Sequence, residues 1–431
     1  MSATAIPYQS IRGRKDSVAV LDIGSSKIAC FIAEPDEKGE LRITGIGHHH
    51  ARGIKGGVLT DTKEAEKSVA AAVELAEKMA GVTVDNLMVN VNFPDMLSHI
   101  VHVDLNIAGN AVTEQDIVDI LREGCRSMQR DGREIIHSFI THYQLDGAKG
   151  IRDPRHMYGM MLQADVHIIS VDKGKLYNLA NMISRCHLDI SEFVAASYAS
   201  GLGCLEDDER DLGVAVIDMG AHETAIAIFN GGGMVYQTII PIGGQHVTKD
   251  LAQCLPTSLQ HAERIKTLYG GVIATASDSQ HMVHVPPIGE DDAGEDASLP
   301  RSQIIQIIRP RMEEIFEIAV ERIRASGMEA IIGGHIVLTG GASQLVGVRE
   351  LASNILGRQV RLAKPKAFAG LAESVSSAGF SSAIGMLIYA KTRSFEELLK
   401  YNIDNKKSQH GFMGIGALKK WFKGEMMEIN K

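Results

Sequence analysis

Two polar turns with the same pattern lie far apart in the chain, each between two apolar runs. Residues 22–27 read DIGSSK and residues 218–223 read DMGAHE. A hairpin turn of small residues presents backbone N–H groups to an anion, and a hydroxyl can add a donor. An aspartate there can hold Mg²⁺ through water. The candidate phosphate ligands are Asp22, Gly24, Ser25, Ser26 and Lys27 in the first turn and Asp218, Gly220, Ala221 and His222 in the second.

The repetition of the turn matters more than either copy. One Asp-x-Gly turn is an ordinary hairpin signal. Two copies indicate a duplicated domain whose turns face each other, which could clamp the β- and γ-phosphates of a nucleotide with Mg²⁺ between Asp22 and Asp218.

A third candidate element follows the apolar strand predicted at residues 335–339. Gly340, Gly341, Ala342 and Ser343 come next, before a helical pattern at 345–356. Glycines at such a turn let the backbone approach a ligand closely. The alternative is a plain tight turn.

The elements that must position these residues alternate between strand and helix, which indicates α/β architecture. Three helices are predicted. The first begins after Asp61 and ends at Gly81, the second begins after Thr113, and the third covers 303–325 with a bend near Pro310. An exposed loop is predicted over 277–302, which contains an acidic cluster.

Composition limits the possible functions. A chain of 431 residues with 45% hydrophobic residues suggests two to four globular domains. A net charge of -9 argues against nucleic acid as a partner. Five scattered cysteines suggest neither disulfides nor a zinc site. We find no signal peptide and no apolar run long enough to span a bilayer.

The three motifs together resemble the phosphate-1, phosphate-2 and adenosine motifs of the actin, Hsp70 and sugar-kinase superfamily. Within it, the chain is similar to the FtsA family of bacterial cell-division proteins, through residues 150–159, 166–169, 240–244 and 262–270. The resemblance covers nearly all of residues 17–393 and the C-terminal tail.

This resemblance implies an actin-like duplicated ATPase fold of subdomains 1A, 1C, 2A and 2B with a C-terminal amphipathic helix. The expected boundaries are 1–16 for a disordered tail, 17–88 for 1A (continued by 166–210 and 372–401), 89–165 for 1C, 211–247 for 2A (continued by 334–371), 248–333 for 2B, 402–414 for a flexible tether and 415–431 for the helix.

The resemblance also implies ligands and partners. It places Glu263 and Lys266 beside the adenosine of ATP, although a solvated i,i+3 pair is the alternative. It implies that 2B binds the acidic C-terminal peptide of FtsZ, with Arg311 as one contact, although a solvated face is the alternative for this residue. The implied function is to anchor FtsZ filaments to the cytoplasmic face of the inner membrane at the division site. Self-polymerisation and recruitment of later division proteins are implied as well.

The second turn departs from the family pattern. His222 and Glu223 stand where relatives usually have Gly and Thr, and Ala225 often corresponds to Asp. A carboxylate beside a triphosphate is unfavourable unless it points away or binds the metal. We therefore expect ATP binding with weak or absent hydrolysis.

The last residues form an amphipathic pattern. At 100° per residue, apolar side chains make one stripe with Trp421 at its edge, and lysines lie to the other side. This pattern predicts reversible binding to anionic membrane lipids, although docking on a protein surface is the alternative. The predicted membrane-binding residues are Ile415, Leu418, Lys419, Lys420, Trp421, Phe422, Lys423, Met426 and Ile429.

Other functions fit less well. A sugar kinase or other phosphotransferase needs an acidic general base that we cannot place, and an Hsp70 chaperone needs a larger C-terminal module. A pilus-assembly adaptor is the nearest competitor, and the C-terminal helix counts against it. Residues 48–50 are three histidines, but neighbouring strand residues alternate faces, so a surface strand is the better interpretation than a metal site.

Overall fold

The computed structural model describes residues 17–288 and 297–392. The predicted N-terminal tail, the tether, the amphipathic helix with all nine of its membrane-binding residues, and the whole acidic cluster lie outside the described residues. None of the helices in the described part is both long and apolar enough to cross a membrane.

The strands of the described chain fall into three sheets and two small hairpins. They are β1 (Val18–Ile23), β2 (Lys27–Pro35), β3 (Leu41–His50), β4 (Ile54–Lys55), β5 (Val58–Leu59), β6 (Asn86–Val91), β7 (Leu97–Asn106), β8 (Arg133–Leu145), β9 (Ala148–Ile151), β10 (Met161–Asp172), β11 (Asp189–Ala195), β12 (Val214–Met219), β13 (Thr224–Asn230), β14 (Gly233–Ile240), β15 (Met282–Val285), β16 (Ala297–Pro300), β17 (His335–Thr339) and β18 (Gln359–Leu362).

The α-helices lie between these strands, apart from the last, which ends the described chain. They are α1 (Thr62–Ala80), α2 (Glu114–Met128), α3 (Lys173–Arg185), α4 (Ala196–Cys204), α5 (Asp207–Leu212), α6 (Gly244–Cys254), α7 (Leu259–Tyr269), α8 (Arg301–Ala325), α9 (Val348–Leu356) and α10 (Ser381–Thr392).

Two of the sheets have the same topology. The first has strand order β3-β2-β1-β6-β11 and the second β14-β13-β12-β17-β18. In each, the first three strands are antiparallel and the last three are parallel. The duplication predicted from the repeated turn is therefore confirmed.

The central strands of both sheets are almost wholly apolar because helices cover them. Within β1 and β12, Val20, Leu21 and Ile217 are buried. Helix α1 begins after Asp61, whose side chain accepts a hydrogen bond from the backbone N–H of Glu64 at 3.1 Å, and ends at Gly81 with φ 71°. These predicted caps are confirmed, since only a residue tolerant of positive φ fits the end of α1.

A third sheet of order β7-β10-β8-β9 packs one face against α2 and forms its own core. Strand β6, which crosses the expected boundary at residues 88 and 89, belongs to the first sheet, whereas β10 continues the third sheet to Asp172. Helix α2 begins with a capping box between Thr113 and Asp116.

Helices α6, α7 and α8 and the β15–β16 hairpin form a further unit above the second sheet. The prediction of a loop over 277–302 is wrong for most of its described part, since a 3₁₀ turn, β15, β16 and the start of α8 lie there. Val283 and Val285 are buried and the residues before each of them are exposed, which is the alternation of a short strand with one buried face. Pro310 lies within α8, which continues past it to Ala325.

Candidate functional site

The two repeated turns are equivalent hairpins. The last strand pairs before the turns are Ile23 with Ile28 and Met219 with Thr224. The N–H of Gly24 donates to the carbonyl of Lys27 at 3.0 Å, and that of Gly220 donates to the carbonyl of Glu223 at 2.9 Å. A Cβ on either glycine would lie 2.9 Å from that carbonyl oxygen, so the tight turn favours glycine.

Both turns border one cavity of about 600 Å³, which the Gly340–Ala342 turn also lines. This volume lies within the range of small-molecule sites. Of the predicted nucleotide ligands, Asp22, Gly24, Ser25, Ser26, Lys27, Asp218, Gly220, Ala221, Glu263, Lys266, Gly340, Gly341 and Ala342 line the cavity.

Two predicted ligands do not line it. Ser343 is buried, and its hydroxyl donates to the carbonyl of Gly340 at 2.7 Å, so it stabilises the turn. His222 packs near His246, with ring centroids 6.3 Å apart. Burial lowers the pKa of His222 to about 4, so its imidazole is neutral at physiological pH.

The two aspartates are held by neutral donors. Asp22 accepts a 2.5 Å hydrogen bond from Nδ2 of Asn90, whose Oδ1 accepts from the N–H of Ile23 at 2.6 Å. Asp218 accepts from the hydroxyl of Ser200. These bonds fix both carboxylates at the floor of the cavity.

The electrostatics of the aspartates fit a cation. Burial raises the pKa of Asp22 to about 6, with Lys27 opposing and Asp218 adding to the rise. Burial also raises the pKa of Asp218. A cation between Asp22 and Asp218 would favour the ionised form of both carboxyls. Mg²⁺ is usually bound through one or two carboxylates, with water and phosphate oxygens as its other ligands, and Asp22 and Asp218 could supply two such carboxylates.

Lys27 supplies the positive charge on the first turn. Its Nζ lies 3.0 Å from the ring centroid of Phe380, a cation–π contact. Burial lowers the pKa of Lys27 to about 8, while Asp22 and Asp218 oppose this shift. The amine is therefore largely protonated at neutral pH.

Glu263 and Lys266 form a network at another wall of the cavity. Nζ of Lys266 donates to Oε2 of Glu263 at 2.7 Å, to Oγ1 of Thr248 at 2.9 Å and to the carbonyl of Gly244 at 3.0 Å. The Lys266 side chain is only 14% exposed. The alternative of a solvated pair therefore does not describe the lysine.

Sequence reasoning missed several cavity residues, chiefly Gly57, Asn90, Asn92, Gly379 and Ser382. Asn90 and Asn92 are two residues apart at the end of an apolar strand, and this spacing predicts that both side chains lie on the same face. The Gly57 and Gly379 segments join the site only through long-range packing.

Arg311 lies away from the cavity, on α8. Its guanidinium donates to both carboxylate oxygens of Asp250, at 2.8 and 3.0 Å, and also pairs with Glu314. These partners raise the pKa of Arg311, which is already high. A peptide carboxylate at Arg311 must share or displace Asp250.

The three histidines at residues 48–50 end β3, as the surface-strand interpretation predicted. His48 and His50 are exposed and His49 is half-buried.

Comparison of the structure with solved structures identifies the fold. The complex titled "PilM-PilN type IV pilus biogenesis complex" aligns with TM-score 0.63 and 14% identity over 88% of this chain and 100% of that chain. MreB5 of Spiroplasma citri bound to ADP aligns with TM-score 0.53 and 13% identity over 90% and 98%. At such identities only the fold is shared, and it is the actin-like ATPase fold.

Sequence comparison is more specific. The family model "Cell division protein FtsA" matches residues 215–385, and "SHS2 domain inserted in FTSA" matches residues 95–170. Proteins named cell division protein FtsA are similar to this chain in Agrobacterium fabrum (40% identity over 89% of both chains) and Pseudomonas aeruginosa (31% over 94% and 97%). Since this identity extends over most of both chains, the protein belongs to the FtsA family of cell-division proteins.

Proposed function

We propose that this protein binds MgATP between its two hairpins and anchors FtsZ filaments to the cytoplasmic face of the inner membrane. The observation that carries the nucleotide proposal is the pair of equivalent Asp-x-Gly turns around one cavity, with a lysine on one of them. Membership of the FtsA family supports the role in division.

The parts of the site have separate roles in this proposal. The turn N–H groups and Lys27 hold phosphates, and Asp22 and Asp218 orient water around Mg²⁺, which neutralises phosphate charge when bound. The Lys266 and Glu263 network and the Gly340–Ala342 turn lie at the adenosine end. Ser200 and Asn90 keep the two carboxylates in place.

Weak or absent hydrolysis is part of the same proposal. The second turn carries no cation at the position of Lys27 but a buried carboxyl, Glu223. Transfer of a phosphoryl group needs positive charge or donors aimed at the developing charge. ATP would then act as a ligand that selects a conformation or a polymer.

The partners proposed are the acidic C-terminal peptide of FtsZ at the α6–α8 unit, further copies of this chain in an actin-like polymer, anionic lipids at residues 415–431, and later division proteins at the third sheet. The lipid-binding segment lies outside the described residues and is proposed from sequence alone.

Co-sedimentation tests this function directly. Purified full-length protein is mixed with FtsZ and anionic liposomes, with and without MgATP. We expect FtsZ to pellet with liposomes only when this protein is present, and FtsZ without its C-terminal peptide to stay in the supernatant. FtsZ that remains soluble in the complete mixture would refute the anchoring function.

A further inference from the structure

Glu223 occupies the place that Lys27 has in the other half. Both residues end a turn that begins with the same Asp-x-Gly pattern, and each backbone carbonyl accepts the hydrogen bond from the turn glycine. One hairpin therefore carries an amine and the other a carboxyl at the same position. The turn accepts a lysine or a glutamate at this position, so the geometry of the turn does not account for the carboxyl of Glu223.

The Glu223 side chain reaches across the cleft. It is only 6% exposed, and its Oε2 accepts a 2.6 Å hydrogen bond from Nδ2 of Asn92. Asn92 follows β6 in the first sheet, whereas Glu223 precedes β13 in the second. Both residues line the cavity, so this bond joins the two halves beside the phosphate-binding turns.

The remaining oxygen of the carboxyl is buried and unsatisfied. Oε1 of Glu223 and Oδ1 of Asn92 have no hydrogen-bond partner among the described residues. Oε1 lies against the glycine turn between β4 and β5, 3.4 Å from where a Cβ on Gly57 would stand. A buried carboxylate with a single neutral donor is costly, so the protonated form is favoured.

We propose that Asn92 and Glu223 form a latch across the phosphate end of the cavity, and that nucleotide binds to the latched form in which Glu223 carries its proton. This inference rests on the proposed nucleotide function. An ionised Glu223 would repel a polyphosphate, whereas the neutral acid keeps the hydrogen bond without adding negative charge.

The other charged groups around Glu223 constrain the test. Burial raises the pKa of Glu223 to about 8, and only the Asn92 hydrogen bond opposes this rise. Neighbouring His222 is neutral in this range, and Lys55, the last residue of β4, interacts with His222. Asp22, Asp218 and Lys27 line the same cavity, and Lys27 also titrates near pH 8. The wild-type pH profile alone therefore cannot separate Glu223 from Lys27.

The test compares the full-length wild type with Glu223→Gln, which keeps an amide able to bond Asn92 and leaves Lys27 unchanged. MgATP affinity is measured by calorimetry between pH 7.5 and about pH 9.5. Since affinity falls tenfold per pH unit above the pKa of a required proton, we expect the wild type to lose roughly 20-fold more affinity than the variant across this range. Parallel profiles would show that binding does not need the Glu223 proton, which would overturn this inference and leave the proposed nucleotide site standing.

The variant Asn92→Ala gives a second, independent test, because it should shift the pH at which MgATP affinity falls. The Asn92 bond favours the ionised acid, so its loss should move the fall in affinity to higher pH. A fall at unchanged pH would contradict the pairing. Absence of MgATP binding to the wild type at every pH would instead overturn the nucleotide site, and this inference with it.

Discussion

At the scale of single residues, the buried Glu223 carboxyl should make folding stability depend on pH. Burial raises its pKa to about 8 in the folded protein, above the ordinary value of 4.5. A group with a raised pKa in the fold contributes stability that is complete below its unfolded pKa and is lost as pH rises through the folded pKa. Glu223→Gln removes this dependence.

We therefore expect Glu223→Gln to raise Tm by a few degrees at pH 8.5 relative to the wild type and to change it little at pH 4.5, measured by circular dichroism without nucleotide. A control is Glu313→Gln on α8, whose acid is paired with Arg309 outside the cavity. Equal Tm values for wild type and Glu223→Gln at pH 8.5 would show that the carboxyl is not held neutral.

Arg311 gives a second test at this scale. If it contacts the FtsZ peptide, Arg311→Glu should weaken peptide binding at least about tenfold, because a charge-assisted bond becomes a repulsion. Fluorescence polarisation with a labelled peptide measures this. Arg309→Glu is the matched control on the same helix, since Arg309 pairs with Glu313 and not with Asp250.

Unchanged affinity in Arg311→Glu would remove Arg311 from the contact. Loss of the pair with Asp250 also leaves that half-buried carboxylate without its cation, so the variant's Tm must be compared with that of Arg309→Glu. If the fall in peptide binding matches the fraction of Arg311→Glu that is unfolded, the result would also count against a direct contact.

At the scale of elements, residues 415–431 carry the membrane prediction. Trp421 is the only tryptophan of the chain, so its emission reports this segment alone. Anionic liposomes should shift that emission to the blue as the indole enters the acyl boundary. Phe422→Glu should abolish the shift and Phe422→Leu should retain it. An emission spectrum unchanged at saturating lipid would refute the membrane claim.

Elements also show what the sequence could and could not predict. Both hairpins, α1 with its caps and the glycine turn after β17 were predictable, because local polarity and apolar periodicity determine them. The pairing of Asn90 with Asp22 was not, since a parallel contact between distant strands brings them together. The pairing of β15 with β16 was not predicted from the sequence, because both strands are short and flank an acidic stretch.

Glu223 shows the same limit within the site. The sequence marked it as a departure from the family, and repulsion of a triphosphate followed from an assumed negative charge. Its burial and its single bond to Asn92 depend on the assembled cleft, and they favour a neutral acid instead.

At the scale of the whole molecule, the duplicated fold predicts binding without rapid turnover. Steady-state phosphate release in saturating MgATP should stay below about 1 per second, since the second turn supplies a carboxyl where the first supplies a lysine. FtsZ and liposomes are included in a parallel reaction, because polymerisation could change the rate. A rate typical of active kinases in either reaction would show that the second turn does support catalysis.

Two hairpins, one from each half of the molecule, are proposed to make one MgATP site. Calorimetry of the full-length protein should show MgATP binding that is weakened at least about tenfold by Asp22→Ala and by Asp218→Ala, since each removes a carboxylate that orients metal-bound water. Asp104→Ala, an exposed aspartate on β7, serves as the control and should bind like the wild type. Unchanged Mg²⁺-dependent affinity in both cavity variants would contradict the shared site.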